Sequence, residues 1–195
     1  MGVQKEKKKD YYMIEKNGVS IQENFLEEKE FTTLVATITH SEFPWYFNPS
    51  ITIIDKESSP GMFSHNVYNA NTGPISSTYN SIFLPILEQL GSSVTILVRI
   101  NLNPRLPQSF YSIFHSDTEN YLDKEISAQW TTSILYINTN NGYTEFENSG
   151  ERIESVANRL VTFPSDSKHR GITQTDEQTR IVINFNYLKR STLSL

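Results

Sequence analysis

The residues best suited to chemistry are His115 and Asp117, in the stretch Phe114-His115-Ser116-Asp117, and His169 far downstream. In an extended strand, residues i and i+2 point to the same face. His115 and Asp117 can therefore reach one ion together. Two imidazoles and one carboxylate on one face of a metal leave the opposite positions open, which suits non-haem Fe(II) activating oxygen. His-x-Asp alone is a weak motif that also occurs in surface turns. Arg180 strengthens it, because it opens Arg180-Ile181-Val182-Ile183-Asn184-Phe185-Asn186-Tyr187, an apolar-rich strand with a charge at its start. A guanidinium aimed inward beside a metal is a fork for a carboxylate. His40 and His65 have no second ligand at useful spacing and are read as non-ligands, His65 in a polar loop.

The elements that must position these groups are mostly strands. From Val94 the pattern is β-rich: Val94 to Leu102, an extended segment from Tyr111 into His115, Trp130 to Asn138, Tyr143 to Glu147, Arg159 to Phe163 and Arg180 to Tyr187. Short strands with turns at this spacing indicate a sandwich or barrel. Strand alternation puts Arg180, Val182, Asn184 and Asn186 on one face and Ile181, Ile183 and Phe185 on the other. If Arg180 faces a cavity, Asn184 and Asn186 do too, and inward amides need partners.

The N-terminal part is different in kind. Lys5, Lys7, Lys8 and Lys9 lie in a tail over residues 1–10, read as solvated. Tyr11-Tyr12-Met13-Ile14 and Val19-Ser20-Ile21 flank Asn17-Gly18, a hairpin signal. A helix is expected over 27–38, with Glu27, Glu28 and Glu30 at its start and Phe31, Leu34, Val35 and Ile38 on one face. A second stripe, Ile82, Phe83, Ile86, Leu87 and Leu90, stops at Gly91. The segment 50–55 reads as a strand. The aromatic cluster Phe43-Pro44-Trp45-Tyr46-Phe47 cannot be regular helix. Its functional reading is a wall of a substrate cleft, with Trp45 and Tyr46 as lining residues.

The totals bound the rest. The chain has 195 residues, 37% hydrophobic and 12% aromatic, which suits one globular domain. A net charge of −5 argues against coating nucleic acid. There is no cysteine, so any metal takes nitrogen and oxygen ligands. No apolar run approaches a membrane span, no signal peptide shows, and Glu6 stands where a myristoylation motif has Ser or Thr. A cytoplasmic protein with no membrane contact is the expectation.

The set His115-x-Asp117, His169 and Arg180 resembles the signature of the 2-oxoglutarate/Fe(II)-dependent oxygenases. It is most similar to the prolyl-hydroxylase-like subgroup, which includes small phage and marine microbial versions. Ile134-Leu135-Tyr136-Ile137-Asn138, Gly142-Tyr143-Thr144-Glu145-Phe146 and Asn158-Arg159-Leu160-Val161-Thr162-Phe163 fall in the family's order between the ligands. The resemblance covers residues 93–188 best.

It implies a mainly β fold: a double-stranded β-helix, the cupin-like jelly roll, behind flanking N-terminal α-helices. The chain then divides into a tail (1–10), N-terminal strands and supporting helices (11–92) and the jelly-roll core with the metal site (93–188). The implied cofactors are Fe(II), 2-oxoglutarate and O2. His115, Asp117 and His169 are the implied iron ligands, and Arg180 binds the distal carboxylate of 2-oxoglutarate. Tyr136 is a second candidate for that carboxylate, with Asn101 or Arg99 behind it where many relatives carry a tyrosine. Arg170 is read as a cleft-rim residue and not a cofactor ligand. Asn184 and Asn186 are candidates for substrate contact. The substrate is a peptide, a protein or a small molecule, a prolyl side chain being the first guess by analogy. Two alternatives stay open: a cupin-like metalloprotein that does not use 2-oxoglutarate, and a jelly-roll binding module without catalysis.

Overall fold

The hairpin β1 (Met13–Lys16) and β2 (Val19–Gln22) turns at Gly18, whose φ of +77° is a conformation that glycine adopts without steric cost. The computed structural model describes residues 13–16, 18–51, 59–119 and 122–190. The lysine tail, Tyr11, Tyr12, Asn17 and most of the strand expected over 50–55 lie outside them. Helix α1 (Glu28–Ile38) starts at a capping box, in which the Glu27 N–H donates to Glu30 Oε2 at 3.3 Å. It buries Leu34 and Ile38. Strands β3 (Tyr46–Asn48), β4 (Met62–Asn69) and β5 (Gly73–Pro74) follow. A π-helical turn over Tyr79–Phe83 leads into α2 (Leu84–Gln89), with Pro85 in its first turn, where a missing N–H costs no helical bond. Gly91, at φ +72°, ends it and donates to Glu88 O at 3.0 Å.

The remaining elements are β6 (Ser92–Pro104), the short α3 (Lys124–Ser127), β7 (Thr131–Tyr136), β8 (Tyr143–Phe146), β9 (Arg152–Glu154), β10 (Leu160–Pro164), β11 (His169–Ile172) and β12 (Thr179–Lys189). A large antiparallel sheet runs β1-β2-β10-β7-β12-β6-β4-β3, with β5 on β4. A small sheet runs β11-β8-β9. The segment 111–115 lies along β11 through the bridges Tyr111↔Ile172 and His115↔His169. From β6 onward the chain passes back and forth between the sheets: β6 large, 111–115 small, β7 large, β8 and β9 small, β10 large, β11 small, β12 large. That winding is a double-stranded β-helix, or jelly roll.

The alternation of β12 divides the interior. Ile181, Ile183, Phe185 and Tyr187 join Val98, Ile100, Leu135 and the α1 and α2 residues Leu34, Ile38, Ile86 and Leu87 in the larger core. Ile134, Tyr136, Phe146, Ile153, Val161, Phe163 and Val182 make a smaller cluster. No helix among the described residues is long and apolar enough to cross a membrane.

One reading is corrected by the sheet. His65 is not in a loop: it sits in β4, paired opposite Ile100, with Nδ1 2.9 Å from Pro44 O. Its polar neighbours Asn66 and Asn69 hid a strand in which Met62, Ser64 and Val67 are buried. The aromatic cluster lies at a sheet edge. Tyr46 and Phe47 are each 63% exposed on β3, at the outer edge of the large sheet. Tyr46 stacks on His65 with ring centroids 6.2 Å apart, and Trp45 packs on Phe43 at 5.2 Å and against the helix-side core.

Candidate metal centre

His115 and His169 are brought together by backbone pairing. The His115 N–H donates to His169 O at 3.0 Å, and the His169 N–H donates to His115 O at 2.9 Å. Residues exchanging both bonds in an antiparallel pair carry their side chains on the same face. The ring centroids stand 4.9 Å apart. In each ring Nδ1 faces a carbonyl two residues back, Ile113 O at 3.2 Å for His115 and Ser167 O at 3.1 Å for His169. With Nδ1–H as donor, Nε2 keeps its lone pair for a metal.

Asp117 completes the group. Its Oδ1 lies 3.5 Å from His115 Nε2 and 3.7 Å from His169 Nε2, and the three ligand atoms all fall within 4.8 Å of one another. Both carboxylate–imidazole distances are under twice a metal–ligand bond of about 2.1 Å. The second oxygen, Oδ2, accepts from Asn186 Nδ2 at 3.1 Å. The same Nδ2 lies 2.9 Å from Thr132 Oγ1, and Thr132 Oγ1 lies 2.9 Å from Ser165 Oγ. Thr118 touches both Ser165 O and Ser127 Oγ. Asp117 is thus tied by buried hydroxyls to the segment that carries α3.

The electrostatics favour a deprotonated Asp117. Burial opposes its charge, but the imidazole charges of His169 and His115 outweigh that and hold it well below the usual carboxylate range. Burial also works against charge on His115, where the hydrogen bond and charge of Asp117 prevail and raise its pKa. For His169, 3% exposed, burial dominates and lowers it.

A cavity of about 300 Å³ opens on this group. Arg180, Val182, Asn184 and Asn186 all line it, as the alternation of β12 requires, and β6 contributes Leu97, Arg99, Asn101 and Asn103. Arg180 is 5% exposed, and burial lowers its pKa. Its Nε donates to Ser155 Oγ at 2.9 Å, and Nη2 lies 3.4 Å from Thr144 Oγ1. Among the described residues no carboxylate pairs with it. A buried cation without a counter-charge is costly. It is suited to an anion that enters the cavity.

The other sequence candidates divide. Tyr136 is fully buried and does not line the cavity; its hydroxyl donates to Thr144 Oγ1 at 2.7 Å, and Arg180 Cζ lies 5.6 Å from its ring centre. It reaches the cavity only through Thr144. Asn101 and Asn184 line it, each with a buried Oδ1 that has no hydrogen-bond partner. Arg99 lines it too and donates to Ser64 Oγ at 3.0 Å. Trp45 and Tyr46 lie outside it. Arg170 is on the other side of β11, where Nε donates to Glu145 Oε2 at 2.8 Å and the guanidinium covers Phe114. Thr132, Thr144, Ser155 and Ser165 escaped the sequence reading.

The donor set, two neutral imidazoles and a carboxylate without thiolate, fits iron(II). Solved structures with this fold bear on the reading. An oxidoreductase of the 2OG-Fe(II) oxygenase family from Burkholderia pseudomallei superposes with TM-score 0.64 at 9% identity, covering 89% of this chain and 86% of that one. The chain has the fold of these oxygenases. A prolyl-4-hydroxylase from Pseudomonas putida matches with TM-score 0.57 at 18% identity, over 89% of this chain and 94% of that one. A prolyl hydroxylase from Trichoplax adhaerens, in complex with a hypoxia inducible factor oxygen degradation domain peptide, matches with TM-score 0.57 at 17% identity, over 89% and 84%. No protein-family model and no curated protein matches the sequence.

Proposed function

We propose that this protein is an Fe(II)- and 2-oxoglutarate-dependent dioxygenase that hydroxylates a substrate while 2-oxoglutarate is converted to succinate and CO2. The observation that carries the reading is one cavity holding His115, Asp117 and His169 together with a buried Arg180 that pairs with no carboxylate among the described residues. Bound iron would supply oxygen activation, the hard step that no side chain performs. His115, Asp117 and His169 would hold it on one face. Arg180 would take the distal carboxylate of 2-oxoglutarate through paired N–H donors. Ile113, Ile134 and Val182 line the cavity with apolar surface that strengthens charge–charge contacts there.

We assign Asn184, and with it Asn101, which was first read as a cofactor contact, to the substrate side of the reaction, since both line the cavity. Each carries an amide at the cavity with an unpartnered carbonyl oxygen. 2-Oxoglutarate has only acceptors, so a cavity edged by amides also suits a second molecule that carries donors. A peptide substrate, with a donor and an acceptor in every amide, is such a molecule and accords with the prolyl hydroxylases among the structural neighbours.

The test is succinate formation from 2-oxoglutarate by the iron-loaded protein in air, with peptides and free amino acids as prime substrates. Turnover in wild type that falls by about 100-fold or more in Asp117→Ala supports the reading. Metal binding with no succinate under any condition removes it and favours a cupin-like protein that does not use 2-oxoglutarate.

A further inference from the structure

Arg180 is held by more than burial. A Cβ on Gly142 would stand 2.8 Å from Arg180 Cδ, 2.8 Å from Ile172 O and 2.9 Å from Asn140 Oδ1. Contacts that close do not occur for a real Cβ, and one of the obstacles is backbone, which cannot swing aside. The same glycine anchors the partner of Arg180. Gly142 O accepts from the Ser155 N–H at 3.1 Å, and the Gly142 N–H donates to Asn140 Oδ1 at 3.0 Å. Ser155 Oγ then accepts from Arg180 Nε at 2.9 Å. On the far side, Gly171 leaves Arg180 Nη1 uncrowded, since a Cβ there would come no nearer than 3.8 Å.

We propose that Gly142 and Ser155 are positioning residues that fix Arg180 so that its two terminal nitrogens take the distal carboxylate of 2-oxoglutarate end-on. This rests on the reading of Arg180 as the carboxylate clamp. A guanidinium can grip a carboxylate bidentately along its side, through Nε and one terminal nitrogen, or across its end, through both terminal nitrogens. Ser155 occupies Nε and closes the first mode. The contact to Thr144 is long at 3.4 Å and yields to a charged acceptor. A guanidinium already fixed in place loses less freedom on binding.

The test is calorimetric binding of 2-oxoglutarate, and of pyruvate, which lacks the distal carboxylate, to the Mn(II)-loaded protein. Ser155→Ala should weaken 2-oxoglutarate about tenfold, the loss of one hydrogen bond to a charged group. Gly142→Ala should weaken it at least as much, Ser155→Thr should restore it, and pyruvate affinity should stay at the wild-type value in all three. Wild-type affinity for 2-oxoglutarate in both Ser155→Ala and Gly142→Ala, with loss in Arg180→Ala, overturns the positioning role and leaves the clamp standing. Parallel loss of pyruvate and 2-oxoglutarate in Ser155→Ala also overturns it, because the damage is then general. Unchanged 2-oxoglutarate binding in Arg180→Ala overturns clamp and proposal together.

Discussion

Asp117 uses its two oxygens differently. Oδ1 faces both imidazoles, while Oδ2 is occupied by Asn186. Asn186→Ala therefore frees the carboxylate to rotate and leaves Thr132 without its amide partner. Metal affinity should fall by about 10- to 100-fold, with the fold intact, as measured by Mn(II) titration and circular dichroism. Protons compete with metal at His115. Burial opposes its charge, but Asp117 raises its pKa above 6.5, so protonation sets in at a higher pH than for a free imidazole. Metal affinity should accordingly begin to fall while the pH is still above 6.5 and keep falling as it drops. A profile flat down to pH 6 contradicts this. Without metal the linkage runs the other way for His115: its charge stabilises the fold at low pH, and that contribution is lost as pH rises through the raised pKa. At this scale the gathering of His115, Asp117, His169 and Arg180 at one cavity was legible only as a set, since His-x-Asp alone is weak and it was Arg180 and the family resemblance that singled these residues out. Thr144, Ser155 and Ser165 were not, since hydroxyl residues serve everywhere and only the folded chain shows which ones meet Arg180 or Thr132.

The strand that matters most is β12, where one alternation serves two interiors. Its even-numbered positions from Arg180 to Asn186 line the cavity, and Ile181, Ile183 and Phe185 bind the helices. Ile183 is fully buried, and Ile183→Ala should cost about 2–5 kcal/mol of stability by denaturant unfolding while leaving the metal ligands in place. This period was readable from Arg180 to Tyr187 alone. Strands β4 and β9 were not. β4 mixes His65 and Asn66 into buried Met62, Ser64 and Val67, and β9 is only Arg152–Glu154, too short for a period to register. The π-helical turn before α2 was also invisible, because apolar spacing cannot separate it from the first turn of an α-helix.

For the whole molecule, the jelly roll supplies what no local motif does. It sets 111–115 beside β11, so that residues 54 apart in sequence (169 − 115) share a backbone pair. The large sheet then backs the cavity, and α1 and α2 cover its other face. A metal held by His115, Asp117 and His169 would bind only the assembled site, so on the proposed function it should stabilise the fold by mass action. At about 100 times the dissociation constant the gain is about 2.7 kcal/mol. Mn(II) should raise the melting temperature of wild type and leave that of His169→Ala unchanged. The short strands and turns foretold a sandwich or barrel. The order in which the two sheets exchange strands followed only from the family resemblance, since pairing between distant segments leaves no mark in local pattern.

The most direct measurement is an anaerobic titration with Fe(II) and then 2-oxoglutarate, following the weak visible charge-transfer band of a chelated 2-oxo acid. The wild-type band should appear, be lost in His169→Ala, and require at least about tenfold more 2-oxoglutarate in Arg180→Ala. Iron bound to His115, Asp117 and His169 with no band at saturating 2-oxoglutarate would contradict the account.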